Sequence, residues 1–147
     1  MSAAEQAAIA DSVTNLADSL FAGLNARSMD RVYALYASGD ALISVDNGRL
    51  VASRDSMERA DRAFWASLKA AQFTEDGRKI QVLARNVVVY SDAWRGSMTD
   101  SSGKVTQMQG AWTGVWQRLP EGWKIVTQHG SMPVPMPAPQ PARGRRG

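Results

Sequence analysis

Apolar residues recur every third or fourth position near the start of the chain, which is the spacing of one face of an α-helix. The first run predicts a long helix over residues 3–26. A second, shorter helix is predicted after Ser28, which can cap it, and would end at Gly39. The predicted inner faces are Ile9, Val13, Leu16, Leu20 and Leu24 in the first helix, and Met29, Val32, Tyr33 and Tyr36 in the second.

A short hairpin and a third helix are predicted next. Residues 41–45 and 50–52 read as strands, because Asn47-Gly48 between them is a strong tight-turn signal. Asp55 and Glu58 have the spacing of a capping box, with aspartate in place of the usual Ser or Thr, and predict the start of the third helix. Its inner side would consist of Met57, Ala60, Phe64, Leu68 and Ala71, with Trp65 beside them.

After Gly77 the pattern becomes that of β-strands. The predicted strands cover residues 79–84, 87–99, 105–118 and 123–131. Helices followed by a run of strands is an α+β order rather than an alternating one. We therefore predict three N-terminal helices packed on an antiparallel sheet.

Alternation along the last three strands separates two faces. One face holds Trp94, Trp112, Trp116 and Trp123, and it must be buried against the helices because leaving four tryptophans in water is costly. The other face is small and mixed, and it suits solvent or a second sheet.

Loop lengths predict how these strands pair. The predicted partners are Trp94 with Gly110, Asp92 with Trp112, Tyr90 with Gly114, Trp116 with Ile125, Gly114 with Thr127, and Trp112 with His129. A row of Asp92, Trp112 and His129 would then cross the buried face. The bare Gly114 between Tyr90 and Thr127 would leave a hollow, where a ligand could lie.

The composition limits the kinds of catalytic, metal and nucleic-acid sites that the chain can form. The chain has no cysteine and one histidine, which excludes disulfides, thiolate nucleophiles and multi-imidazole metal sites, and we expect neither a metal nor another cofactor. Arg143, Arg145 and Arg146 account for the net charge of +3. The rest of the chain is neutral, so nucleic-acid binding by the domain is not expected.

Two further features concern location and organisation. No apolar run approaches the ~20 residues that cross a bilayer, and the start lacks a secretory signal, which predicts a cytoplasmic protein; a chain with its signal removed would look the same. Five of the six prolines lie between positions 133 and 141, before Arg-Gly-Arg-Arg-Gly. We therefore predict a folded domain over 1–131 and a Pro/Arg-rich tail over 132–147, either a solvated end or a partner-docking segment.

The end of the domain carries a resemblance to a known family. Gly110-x-x-Thr113-x-Val115-Trp116, followed by Gly122-Trp-Lys-Ile-Val-x-x-His129-x-Ser131, resembles the SnoaL-like branch of the nuclear transport factor 2-like superfamily. The likeness covers about residues 5–132. It implies a cone, usually dimeric, in which a strongly curved sheet wraps round three helices and leaves a pocket at the wide end. Members of the superfamily include isomerases, dehydratases, epoxide hydrolases, cyclases and non-catalytic domains, so the fold alone does not give the function.

The sequence departs from the ketosteroid isomerases of that superfamily. Those enzymes use an aspartate base, with a tyrosine and a protonated aspartic acid as oxyanion donors. The base position falls on Val45 and the acid position on Gly114, and neither residue can do that chemistry. Asp46 is adjacent, but its side chain is expected to point the other way or into the turn, so the mechanism is not carried over.

The candidate catalytic residues are His129, Asp92 and Tyr90. His129 and Asp92 would share proton transfer, and Tyr90 would donate a hydrogen bond. The candidate ligand-binding residues are Tyr33, Trp65, Trp94, Trp112, Trp116 and Thr127. Each also has a structural alternative: His129 as a hydrogen-bonded core residue, Asp92 paired with Arg31, Arg59 or Arg62, and the aromatic residues as ordinary packing.

Two functions stay open. The first is a small-molecule-binding domain with an apolar pocket for a flat apolar or aromatic ligand, either non-catalytic or with lyase, isomerase or hydrolase chemistry. The second is a non-catalytic assembly module whose cone is filled by its own side chains and whose tail recruits a partner. In either case the outer sheet face predicts a homodimer. The predicted residues of that face are Val87, Val89, Ala111, Thr113, Val115, Val126 and Gln128.

Overall fold

The computed structural model describes residues 1–51 and 53–133. Within these ranges the helices are α1 (Ala3–Asn25), α2 (Met29–Tyr33) and α3 (Arg54–Ala66), with a 3-10 turn at Gly39–Ala41. The strands are β1 (Ile43–Asp46), β2 (Arg49–Leu50), β3 (Ala70–Ala84), β4 (Val87–Thr99), β5 (Val105–Leu119) and β6 (Gly122–Ser131). None of the described helices is long and apolar enough to cross a membrane. The predicted tail lies, beyond Pro133, outside the described residues.

The strands form one sheet in the order β2-β1-β6-β5-β4-β3, and the helices pack on its concave face. The predicted α+β cone is confirmed. Neighbouring strands are antiparallel except β1 and β6, which run parallel. The sheet is therefore mixed, because the chain enters β1 from the helical layer rather than through a hairpin from its neighbour.

Two helices begin with reciprocal caps. In α1, Ser2 N donates to Glu5 Oε2 at 2.7 Å, and Glu5 N donates to Ser2 Oγ at 3.2 Å. In α3 the cap is Ser53, whose Oγ accepts from Ser56 N at 3.1 Å, so the predicted start at Asp55 is wrong. Ser53 has the extended backbone of an N-cap, and Asp55 lies in the first turn, where a negative charge is favourable at the helix N-terminus.

Strand β3 starts well before residue 79, and α3 ends at Ala66 rather than extending through Ala71. Residues 71–74 alternate apolar and polar, and pairing with β4 from Ala70 opposite Thr99 onward selects the strand. The pairing shifts between Glu75 and Arg78. Gly77 has a positive φ of 128° there, a conformation that glycine adopts without strain.

The predicted pairing of β4 with β5 is confirmed. Trp94 lies opposite Gly110, Asp92 opposite Trp112, and Tyr90 opposite Gly114. A Cβ added at Gly110 would lie 2.6 Å from the Trp94 ring and 2.5 Å from Ser131 O. The indole thus covers bare backbone, as the sequence predicted.

The pairing of β5 with β6 is confirmed only at its start. Trp116 lies opposite Ile125, but the next pair is Val115 with Thr127, so Val126 is an extra residue in a β-bulge. Beyond the bulge, every side chain of β6 lies on the face of the sheet opposite to the predicted one. The predicted pairs of Gly114 with Thr127 and of Trp112 with His129 are therefore wrong, since the partners are Gln128 and Gly130.

The core fills the narrow end of the cone. Fully buried side chains from α1 and three strands meet there: Val13, Val88, Tyr90, Trp116 and Ile125. The wide end is not filled by these residues, and the candidate site lies there.

Candidate functional site

The wide end of the cone encloses a cavity of about 370 Å³. The sheet forms its floor, α1 and α3 form its sides, and the β1–β2 hairpin lies at its rim. Its walls are mostly apolar, and the aromatic lining residues are Phe21, Tyr36, Phe64, Trp65, Phe73, Trp94 and Trp112.

Asp92 is the buried carboxylate of this cavity. It lies on β4 opposite Trp112 and is only 6% exposed. Its Oδ1 accepts no hydrogen bond from any described residue. Burial raises the pKa of Asp92 to about 7, with a smaller rise from the Glu75 carboxylate and an opposing effect from Arg78. The predicted pairing of Asp92 with Arg31, Arg59 or Arg62 does not occur among the described residues' ion pairs.

Tyr90 lies one row deeper than Asp92 and is fully buried. Its hydroxyl donates to Glu75 Oε2 at 2.5 Å, and Glu75 in turn accepts from Arg78 Nε at 2.6 Å. Burial and the neighbouring Glu75 raise the pKa of Tyr90 above its ordinary value. Its proton is therefore already bound within the protein, and Tyr90 is not placed to donate to a ligand.

Gln128 organises the opposite wall, because the bulge turns it inward. Its Oε1 accepts from Tyr36 Oη at 2.5 Å and from Trp112 Nε1 at 3.1 Å. Its Nε2 donates to Ser44 Oγ at 2.9 Å. These bonds fix two aromatic rings of the cavity wall in one orientation.

Two more carboxylates lie nearer the mouth. Asp61 on α3 accepts from Tyr33 Oη at 2.7 Å. Burial raises the pKa of Asp61, an effect that the Tyr33 hydrogen bond opposes and the nearby Asp46 reinforces. Asp46 is on the same face because β1 runs beside β6 with Asp46 opposite Gly130. Of the two expectations for Asp46, pointing away from the pocket is wrong, whereas the contact with the turn is present, since Asn47 Nδ2 donates to Asp46 Oδ1 at 3.1 Å.

His129 and Thr127 are on the convex face of the sheet. His129 is exposed and lies opposite Thr113 and beside Val45, and Thr127 lies opposite Val115. Their predicted places in the pocket are wrong because the sequence does not reveal the one-residue bulge at Val126. The hollow predicted above Gly114 is also absent, since the Trp112 ring occupies the space that a Cβ there would need.

The predicted aromatic residues divide into two groups. Trp65, Trp94 and Trp112 line the cavity. Trp116 is fully buried in the core, and Tyr33 is 3% exposed and acts through its hydrogen bond to Asp61.

Four lining residues were not chosen from the sequence: Tyr36, Asp46, Asp61 and Gln128. A signal existed for Asp61, because a carboxylate four residues after Met57 and four before Trp65 lies at the edge of the apolar stripe. Tyr36 was on a predicted inner face. The sheet faces of Asp46 and Gln128 depend on strand pairing, which the sequence does not specify.

A buried carboxyl in the wall of an apolar cavity is suited to proton exchange with an apolar ligand. A carboxyl group that titrates near neutrality can take up or release a proton at physiological pH. The described residues include no group of three or more His, Asp or Glu side chains placed to hold one metal ion.

Residues 13–135 match a family model described as the SnoaL-like domain. Among curated proteins no sequence matches the chain. The chain is similar in structure to a nuclear transport factor 2-like superfamily protein from Salmonella enterica, with 14% identity, a TM-score of 0.80, and coverage of 92% of this chain and 98% of that one.

Two further solved structures are similar. One, from Streptomyces avermitilis, was provisionally named a dehydratase of the same superfamily; identity is 16%, the TM-score is 0.76, and coverage is 88% of this chain and 99% of that one. The other, from Xanthomonas campestris, was provisionally named a calcium/calmodulin-dependent protein kinase II association domain; identity is 22%, the TM-score is 0.71, and coverage is 85% and 88%. At these identities the likenesses establish the fold alone.

Proposed function

The chain belongs to the SnoaL-like domain family of the nuclear transport factor 2-like superfamily, and we propose that it binds a flat, largely apolar small molecule inside its cone and exchanges a proton with it through Asp92. The observation that carries this proposal is the unpartnered, buried carboxylate of Asp92 in the wall of an open cavity.

The dimensions of the cavity support a small ligand. A volume of about 370 Å³ lies at the lower end of the range of ligand pockets, roughly 300–1,000 Å³. The walls include indole and phenyl rings, and Gln128 holds Tyr36 and Trp112 in fixed positions. A rigid cavity between aromatic ring faces favours a planar ligand over a branched one.

Asp92 supplies the chemistry in this proposal. As a carboxylate it can take a proton from a carbon beside a carbonyl group, and as an acid it can return that proton to another atom of the ligand. A pKa of about 7 leaves both forms populated at neutral pH, which is the condition for efficient general acid–base catalysis. Isomerisation and dehydration are reactions of this class. His129 takes no part, because it lies on the other face of the sheet.

The proposal is tested with a panel of planar aromatic ketones, screened for binding by NMR. Binders are then incubated in heavy water, and loss of the signal from the protons beside the carbonyl reports proton exchange. Wild type should bind and exchange, Asp92→Asn should bind without exchange, and Met108→Trp should lose binding because the larger side chain fills the cavity. If Met108→Trp binds every ketone as wild type does, the cavity is not the site.

The assembly module is less well supported as an alternative. It requires a cone filled by its own side chains, whereas the wide end is open. A homodimer is compatible with ligand binding and belongs to the proposal, because the convex face presents the half-buried Val89, Val115 and Val126 in one patch. Gln128 is no longer part of that face.

A further inference from the structure

We infer that the ligand of this cavity carries a positive charge, in the form of an organic ammonium group attached to a flat aromatic body. The inference deepens the proposed function and rests on it. It follows from the charges of the lining residues, the state of Asp92, and the chemistry of the aromatic walls.

The charges around the cavity are of one sign. Asp46, Asp61 and Asp92 line it, and none of its described lining residues is a Lys, Arg or His. Acidic clusters are common on protein surfaces, so this observation does not suffice alone. In a cavity with low-dielectric walls, however, charges of one sign reinforce one another and concentrate ligands of the opposite sign.

Nearby arginines do not neutralise this field. Arg78 lies behind Tyr90 and is bound to Glu75 at 2.6 Å and to Asp18 at 2.7 Å. Arg54 lies over the Tyr33 ring and is bound to Glu58 at 2.7 Å. Each guanidinium thus has at least one carboxylate of its own outside the cavity lining, and Arg78 in addition favours the ionised form of Asp92.

Asp92 provides the second, independent observation. Its side chain is more than nine-tenths buried, it faces the cavity, and its Oδ1 lacks any partner among the described residues. Buried polar atoms are nearly always paired in native structures. A bound ammonium group would supply the missing donor and the missing counter-charge together, whereas a neutral hydroxyl would supply only the donor.

The aromatic walls favour the same class of ligand. Ring faces carry partial negative charge and attract cations within about 6 Å of their centroids. Trp94, Trp112 and Tyr36 surround the cavity on the sheet side, and Trp65 closes it from α3. Among the described residues the three lining carboxylates do not form a group that could hold one metal ion, whereas an organic cation can pair with a single carboxylate and lie against the rings.

The charged groups that face Asp92 set the pH dependence of ligand binding. Glu75 and Arg78 on β3 act on it directly, Asp18 on α1 acts through Arg78, and Asp61 and Asp46 lie across the cavity. Since Asp92 must be ionised to pair with a cation, the affinity for an ammonium ligand should rise as the pH rises through about 7.

Three indole compounds that differ mainly in charge test the inference: tryptamine is a cation, tryptophol is neutral, and indole-3-acetate is an anion. Their dissociation constants are measured by NMR titration against wild type, Asp92→Asn and the control Asp40→Asn, which removes an exposed carboxylate away from the cavity. The amide has nearly the shape of the carboxylate, so Asp92→Asn should fold, as circular dichroism will verify.

Tryptamine should bind wild type and Asp40→Asn at least about tenfold more tightly than tryptophol, with indole-3-acetate weakest. In Asp92→Asn that preference should fall to about twofold and lose its dependence on pH between about 6 and 8. If tryptophol binds wild type as tightly as tryptamine, the cavity binds ligands but the charge inference is overturned. If none of the three compounds binds while aromatic ketones do, the charge inference is likewise overturned and the proposed function stands. If neither set binds, both fail.

Discussion

Asp92 lies directly opposite Trp112 on the adjacent strand, so a carboxylate and an indole form neighbouring parts of one cavity wall. The pairing isolates the carboxylate from water on the sheet side, and Trp112 directs its only N–H to Gln128 instead of to Asp92. The Asp92 Oδ1 is thus left buried and without a hydrogen-bond partner among the described residues. Both the proposed proton exchange and the predicted pH dependence of stability follow from this burial of Asp92.

The buried carboxylate should lower stability at higher pH. The folded-state pKa of Asp92 is about 7, above the ~3.9 of an unfolded chain, so between these values the folded state binds more protons. Its contribution to stability is complete below pH ~4 and is lost as the pH rises through about 7. Relative to wild type, Asp92→Asn should gain on the order of 2–4 kcal/mol in unfolding free energy between about pH 4.5 and 8. Urea denaturation at both pH values measures this, and an unchanged difference would refute it. Asp40→Asn is the control.

His129 should be dispensable for ligand binding. It is exposed on the convex face, so His129→Ala should leave the dissociation constant of any cavity ligand within about twofold of wild type, a difference below about 0.5 kcal/mol. NMR titration of the same ligand against His129→Ala and Met108→Trp checks this. A tenfold loss in His129→Ala would place the site on the other side of the sheet.

Gly114 is expected to tolerate no side chain. A Cβ there would overlap the Trp112 ring, so Gly114→Ala should push the indole into the cavity and cost about 1–3 kcal/mol of stability. Ligand affinity should fall with it. Gly130→Ala is the matched control, because its nearest contact is the flexible Asp46 carboxylate at 3.0 Å. Equal unfolding free energies for Gly114→Ala and wild type would contradict the account of this wall.

The convex face should hold two copies together. Sedimentation of wild type at micromolar concentration is expected to give a dimer, and Val115→Glu a monomer, because the substitution brings like charges together across a two-fold interface. Ala8→Glu, on the exposed side of α1, should remain dimeric. A monomeric wild type would refute the predicted interface.

The sequence predicted the elements that local pattern and loop length determine. The short loop between β4 and β5 sets Trp94 against Gly110 and Asp92 against Trp112, and both pairs are confirmed. The sequence did not predict the faces of the β6 side chains, because these depend on a single inserted residue. Val126 satisfies an apolar strand pattern whether or not it is a bulge, yet it decides that Gln128 and not His129 faces the cavity.

The beginning of β3 illustrates a second limit. Leu68 and Ala71 fit the helical stripe of α3, and Ala71 and Phe73 fit the alternation of a strand equally well. Pairing with β4 along its whole length resolves the ambiguity, because tertiary contacts override weak local preference. Asp46 was misplaced for a related reason, since its face depends on the parallel pairing of β1 with β6.

Titration of the Asp92 carboxyl by carbon-13 NMR measures whether this buried group changes its charge near neutral pH. With the resonance assigned by comparison with Asp92→Asn, the free protein should give a midpoint at about pH 7, and saturation with a cationic cavity ligand should move that midpoint down. A midpoint near ~4, the value of a solvated aspartate, would contradict the account. Such a carboxyl would be ionised throughout the neutral range, so neither ligand affinity nor stability would change with pH near 7 on its account.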